Sequence, residues 1–106
     1  MKQQPVIPRE RALQDVEEAV DHCLAEAGQD VALGFIEALE QAYALIARHP
    51  EAGSPRLAHE LNLPGLRSWP LQRFPQVMFY VVQEDRVDGW RVLHGQRDLP
   101  SWLTGA

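Results

Sequence analysis

Two successive runs of helical periodicity, joined at one glycine and followed by an abrupt change to strand-like sequence, restrict this chain more than any other feature. Leu13, Val16, Val20 and Leu24 recur at spacings of three and four, which places them on one stripe of a helix predicted over residues 9–27. Asp15, Glu17, Glu18, Asp21 and Glu26 fall outside that stripe and read as a solvated face. Pro8 suits the first turn of the helix, where no amide donor is missed, and Gly28 is a natural stop. A second helix follows at once, with Asp30 as its candidate cap and Val31, Phe35, Leu39, Ala42, Ile46 and His49 on its apolar side. It ends before Pro50, because the residue ahead of a proline avoids the helical region. A joint this short folds the helices back on one another as an antiparallel hairpin.

Beyond the hairpin the period changes. Pro50-Glu51-Ala52-Gly53-Ser54-Pro55 is turn chemistry, and residues 57–64 form an irregular bridge or a single turn. Residues 66–71 read as a strand interrupted by Pro70, which suits an edge or a bulge. Residues 77–82 are nearly all apolar and rich in β-branched and aromatic side chains, the pattern of a buried central strand. Glu84-Asp85-Arg86 makes a turn, and residues 87–95 return as the next strand. A short first strand near residues 4–7 is flanked by prolines. Short loops between the last three strands require antiparallel neighbours, and the hairpin must bury its stripe on one face of the sheet. The expected fold is α+β: a short N-terminal strand and an antiparallel two-helix hairpin packed on a small, mainly antiparallel sheet of three to four strands, all in one domain.

At 106 residues the chain matches the size of one domain. Cys23 is the only cysteine, so no intramolecular disulfide forms and an oxidising compartment gains no support. No secretory signal pattern and no apolar run of the ~20 residues that cross a bilayer are visible, and a soluble, cytoplasmic protein is the expectation. His22, His49, His59 and His94 are scattered without metal-ligand spacing, so neither metal nor cofactor is expected. The net charge of −5 is unevenly spread. Between Arg9 and Glu51 ten acidic residues face three arginines, whereas from Ala52 onward five acidic residues face six arginines. Affinity for nucleic acid rests mainly on Lys and Arg, so an anionic partner is expected to use the second half.

Three blocks then carry a resemblance: "HPEAG" (His49 to Gly53), "LRSWPLQRFPQVMFYVV" (Leu66 to Val82) and "WRVLHGQRD" (Trp90 to Asp98). In order and spacing they resemble the ParE-type toxins of bacterial toxin–antitoxin pairs, within the RelE/ParE superfamily, over roughly residues 12–98. The corresponding features here are the Pro50–Gly53 turn, Arg67 opening the next strand, Phe79-Tyr80 in the central strand, and the closing run Arg91 to Asp98. The resemblance implies two helices on a small antiparallel sheet. It also implies a toxin that disables DNA gyrase by binding rather than catalysis, neutralised by a cognate ParD-like antitoxin in a hetero-oligomer.

Candidate target-binding residues are Arg67, Arg73, Arg91, His94 and Arg97. The arginines offer bidentate, charge-assisted contacts that lysine does not copy; the alternative is that they are strand-face arginines paired with Glu84, Asp85 or Asp98. Histidine is the side-chain type most often used to move protons in catalysis, which makes His94 a candidate, yet by alternation it shares a face with Trp90 and Val92, which favours a structural role. Trp69 and Trp102, one beside a proline-broken strand and one in the tail, are candidate partner contacts, since exposed Trp is enriched in binding hot spots. Two other readings stay open. RelE-type relatives cut messenger RNA on the ribosome, but generally with several Lys and Arg and a Tyr or His near the C-terminus; here the only lysine is Lys2 and no tyrosine follows Tyr80. No catalytic residue is therefore assigned and no stable binding of nucleic acid is expected. The third reading is a toxin-derived module that only binds its partner.

Overall fold

The structure, a computed structural model, describes residues 4–95. Gly28 turns the chain between the helices. At φ +97°, a backbone region that costs glycine no steric penalty, it donates its N–H to Cys23 O at the end of helix α1 (Glu10–Glu26) and accepts from Ala32 N at the start of α2 (Gln29–Arg48). One residue thus serves both helix ends. Asp30, expected as the cap, lies inside the first turn of α2 and makes no capping bond. Pro8 closes strand β1 (Val6–Pro8) instead of opening α1, whose N-cap is Arg9.

Strands β2 (Leu66–Pro70), β3 (Gln76–Val82) and β4 (Val87–His94) follow the five-residue helix α3 (Arg56–Glu60), and the sheet runs in the order β1-β4-β3-β2. The pairs β4–β3 and β3–β2 are antiparallel and β1–β4 is parallel. The α+β fold read from the sequence is the fold observed. The outer edge of β2 is closed: Leu66 N donates to Leu63 O, Ser68 exchanges both its bonds with Ser54, and Pro70 has no N–H to offer.

α2 buries the face its periodicity predicts. Phe35, Leu39, Ala42 and Ile46 enter the main core with Met78, Tyr80, Val87 and Val92, and Phe35 meets Phe74 edge-on at 5.5 Å and 84°. Val31, expected on that face, is exposed. In α1 the packing face is offset from the Leu13–Leu24 stripe: Val16 and Val20 pack against the main core, but the two ends of the stripe do not. Its buried residues are Ala12, Asp15 and Cys23, whereas Leu13 is 50% and Leu24 47% exposed. Small side chains let the helix sit close to β4, and the acidic Asp15 is drawn inward by a partner described below. A second cluster of Leu66, Phe79 and Leu93 forms under Leu57, Leu61 and Leu63, so the segment around α3 covers the other side of the sheet.

A β-bulge separates β4 from simple alternation. Phe79 pairs with Arg91 and Tyr80 with Gly89, which leaves Trp90 as the extra residue. Trp90 packs on the second cluster while Val92 enters the main core. The expected common face of Trp90, Val92 and His94 is therefore broken at Trp90, and His94 lines the α1 side of the sheet together with Val92.

Candidate functional site

The turn after α2 is held from below by β2 and β3. Tyr80, fully buried in β3, donates its hydroxyl to Pro50 O at 2.8 Å and accepts Gly53 N–H at 2.8 Å. Arg67, opposite Tyr80 in the β2–β3 register, donates one guanidinium N–H group to Glu51 O at 3.1 Å and to Gly53 O at 2.7 Å. Any Cβ at position 53 would run into the Tyr80 ring, with Cε1 and Cζ at 2.9 Å, so only glycine admits the ring this close. Tyr80 and Arg67, both distant in sequence from the Pro50–Gly53 turn, thus build one clamp on it.

Burial pushes the Tyr80 hydroxyl above its ordinary pKa of 10.0, against the Gly53 amide and the charge of Arg67, which lower it. The fold therefore favours the protonated phenol. That contribution is fully present below the unfolded pKa and is lost as pH rises through the higher folded value. Tyr43, raised by burial alone, adds in the same direction. Tyr80→Phe is expected to cost about 1–3 kcal/mol at neutral pH, because the buried Gly53 N–H loses its acceptor. It should also flatten the alkaline loss of stability, and melting curves on either side of pH ~10 check both. An unchanged alkaline slope would remove Tyr80 from the titration.

Arg91 in β4 forms a bidentate pair with Asp15 of α1, Nε to Oδ2 at 2.7 Å and Nη2 to Oδ1 at 2.8 Å. Asp15 Oδ2 also accepts Val92 N–H at 3.0 Å. Both side chains are almost fully buried, at 11% and 8% exposure. The hydrogen bonds to Asp15 raise the Arg91 pKa further, against desolvation. A second bidentate pair joins Arg9 to Asp88 at 2.8–3.0 Å, with Arg9 stacked 4.9 Å from the Trp90 ring centre and the indole N–H donating to Asp88. These pairs tie α1 and its N-cap to β4.

The expected arginine patch is therefore dispersed. Arg67 clamps the turn, Arg91 is neutralised by Asp15, and Arg73 stands exposed in the β2–β3 turn at φ +71°. Arg97 and Trp102 lie outside the described residues. His94 lines a cleft of about 330 Å³ between α1 and the ends of β3 and β4, with Arg11, Glu18, His22 and Gln76 around it. Trp69 is half-buried against α2, beside Ala38, Ala42 and Leu45. Among the described residues no group of three or more His, Cys, Asp or Glu is placed to hold a metal ion, and no helix is long and apolar enough to cross a membrane.

A family model described as the ParE toxin of type II toxin-antitoxin system, parDE, matches residues 6–99. The chain belongs to the ParE toxin family. A solved chain described as "Chromosomal ParDE TA system from P. aeruginosa" is similar to it with a TM-score of 0.72 and 19% identity, over 87% of this chain and 96% of that one; at that identity the likeness speaks for the fold. No curated protein sequence matches the chain. In this ParE-family chain three of the features that carried the resemblance, the Pro50–Gly53 turn, the strand-opening Arg67 and Tyr80 of the Phe79-Tyr80 pair, meet in one clamp, while Phe79 packs in the second cluster. Sequence reasoning missed the Asp15–Arg91 and Arg9–Asp88 pairs. Their signal, an acidic residue among the small side chains of a helix, becomes legible only once the packing face is known.

Proposed function

We propose that this ParE-family toxin acts in the cytoplasm by binding DNA gyrase, and that a ParD-like antitoxin neutralises it in a hetero-oligomer. The reading needs neither cofactor nor catalytic residue. The observation that carries it is the family match over residues 6–99. Two features support a binding mode over RNA cleavage: the Tyr80 hydroxyl is engaged between Pro50 and Gly53, and Arg91 is engaged with Asp15. For the antitoxin, the closed β2 edge disfavours strand addition there, while Leu13, Leu24, Val31 and Leu33 leave apolar surface on the hairpin suited to an amphipathic segment.

Induction in cells tests this. Growth arrest should come with DNA-damage signalling and stalled gyrase cleavage complexes while protein synthesis initially continues. Primer extension on translated message should show no A-site cleavage; cleavage abolished by His94→Ala would install the ribonuclease reading in its place. Harmless induction would leave only a partner-binding module. Arg73, exposed and without a hydrogen bond or ion pair to any described residue, gives the cleanest target-face variant. Arg73→Ala should weaken toxicity on plates and change stability by less than ~0.5 kcal/mol; full toxicity would remove Arg73 from the target face.

A further inference from the structure

We propose that the antitoxin segment seated on the helix hairpin is a cationic amphipathic helix, an inference that deepens the antitoxin reading above and rests on it. The hairpin presents two stripes. Leu13, Glu17, Val20 and Leu24 follow one another at spacings of four, three and four along α1, and Leu33, Glu37, Glu40 and Ala44 repeat that spacing along α2, so each set lies along one side of its helix. Other residues of α1, among them Arg11, Asp15 and His22, line the cleft toward β4. The Leu13–Leu24 stripe is on the opposite side, where Val20 reaches the main core while Leu13 and Leu24 stay exposed. In α2 the stripe that begins at Leu33 is exposed throughout and faces away from the buried side. The two helices pack on one another, and their stripes give the hairpin a surface of leucines set among carboxylates.

Charge decides what covers that surface. No Lys or Arg occurs from Ala12 to Ala47, whereas the same stretch holds eight acidic residues. All of them except Asp15 are exposed. Glu17 with Asp21 and Glu37 with Glu40 are like charges one turn apart, an arrangement that destabilises a helix, and none of the four forms an ion pair with a described residue. The middle of the hairpin thus carries a negative, leucine-bearing face to which it supplies no cation of its own. A partner with Lys or Arg beside its apolar residues relieves the repulsion and covers the leucines in one step.

The same charge turns other occupants away. Nucleic acid and an anionic lipid surface are repelled, and a second copy of the chain would set carboxylates against carboxylates. An extended strand gains nothing here, because the backbone groups in the middle of α1 and α2 are already paired within each helix and present no edge to add to. A helix satisfies its own backbone and lays an apolar side along the stripes. Leu13 and Leu24 stand ~16 Å apart along α1 at the helical rise per residue, which matches about three turns of such a helix.

The test has two arms, both on the full chain. In the first, amide NMR follows a blocked peptide of about four turns with leucines at helical spacing flanked by lysines, beside its counterpart with glutamates in place of the lysines. Saturable shifts are expected along Leu13–Leu24 and Leu33–Ala44 for the lysine peptide alone. Leu24→Ser with Leu33→Ser should weaken it by roughly tenfold with little change in the thermal midpoint, both side chains being exposed. Glu37→Lys with Glu40→Lys should exchange the preference, rejecting the lysine peptide and taking the glutamate one. In the second arm, calorimetry with the purified cognate antitoxin should show the same charge reversal weakening binding by roughly tenfold or more. Shifts spread over other acidic sites such as Glu84 and Asp85, equal binding of the two peptides, or antitoxin affinity untouched by the charge reversal would each overturn the proposal, the last while leaving the antitoxin reading intact. An antitoxin that fails to bind even the native chain would remove that reading and this proposal together.

Discussion

Asp15→Ala is expected to destabilise the protein by about 3–5 kcal/mol, because it strands the Arg91 guanidinium inside the fold without its counter-charge. The carboxylate answers three donors, two from Arg91 and the Val92 amide, and its hydrogen bonding is the first of the causes that raise the Arg91 pKa, while Glu18 is the last. Replacing both partners with apolar residues, Asp15→Leu with Arg91→Met, should recover much of that loss, since a buried pair gains little over well-packed hydrophobic side chains. Urea denaturation of the two variants separates these outcomes. A loss under ~1 kcal/mol in the single variant would mean that α1 does not hold Asp15 against β4.

Phe35→Ala should cost a comparable amount, about 3–5 kcal/mol, by leaving a cavity in the centre of the main core. Phe35 is fully buried and loses both its edge-on contact with Phe74 and its packing on the sheet. The expected signature is a lower denaturation midpoint with little change in the denaturant slope. A cost typical of a surface change would contradict the placement of α2.

What the sequence disclosed depended on how strongly side-chain size agreed with burial. In α2 the large residues Phe35, Leu39 and Ile46 are buried and announced the face directly, although Val31 and Leu33 stay exposed. In α1 the order inverts: Leu13 and Leu24 face outward while Ala12, Asp15 and Cys23 pack inward. Hydrophobicity placed Val16 and Val20 against the core correctly but missed Leu13 and Leu24, because the closeness of β4 rewards small residues and because a buried charge was paid for by an arginine 76 positions away. The local mark of the bulge at Trp90 is Gly89 immediately before it, which a plain alternation count passes over, so alternation misplaced the Trp90 side chain. Arg67 was visible as a motif residue, but its partners are backbone carbonyls, which carry no sequence signature. Read with those contacts, Arg67→Ala should lower the thermal midpoint as well as any toxicity, and Arg73→Ala is the variant that separates the two effects.

Growth arrest by this ParE-family chain is proposed to run through gyrase, by binding. The most direct measurement adds the purified chain to DNA gyrase with supercoiled plasmid and ATP and follows trapped cleavage complexes after denaturation of the enzyme. Linear plasmid is expected to accumulate with toxin concentration and to vanish when cognate antitoxin is added first. Unchanged gyrase activity at every concentration, from a chain that still arrests growth in cells, would contradict it.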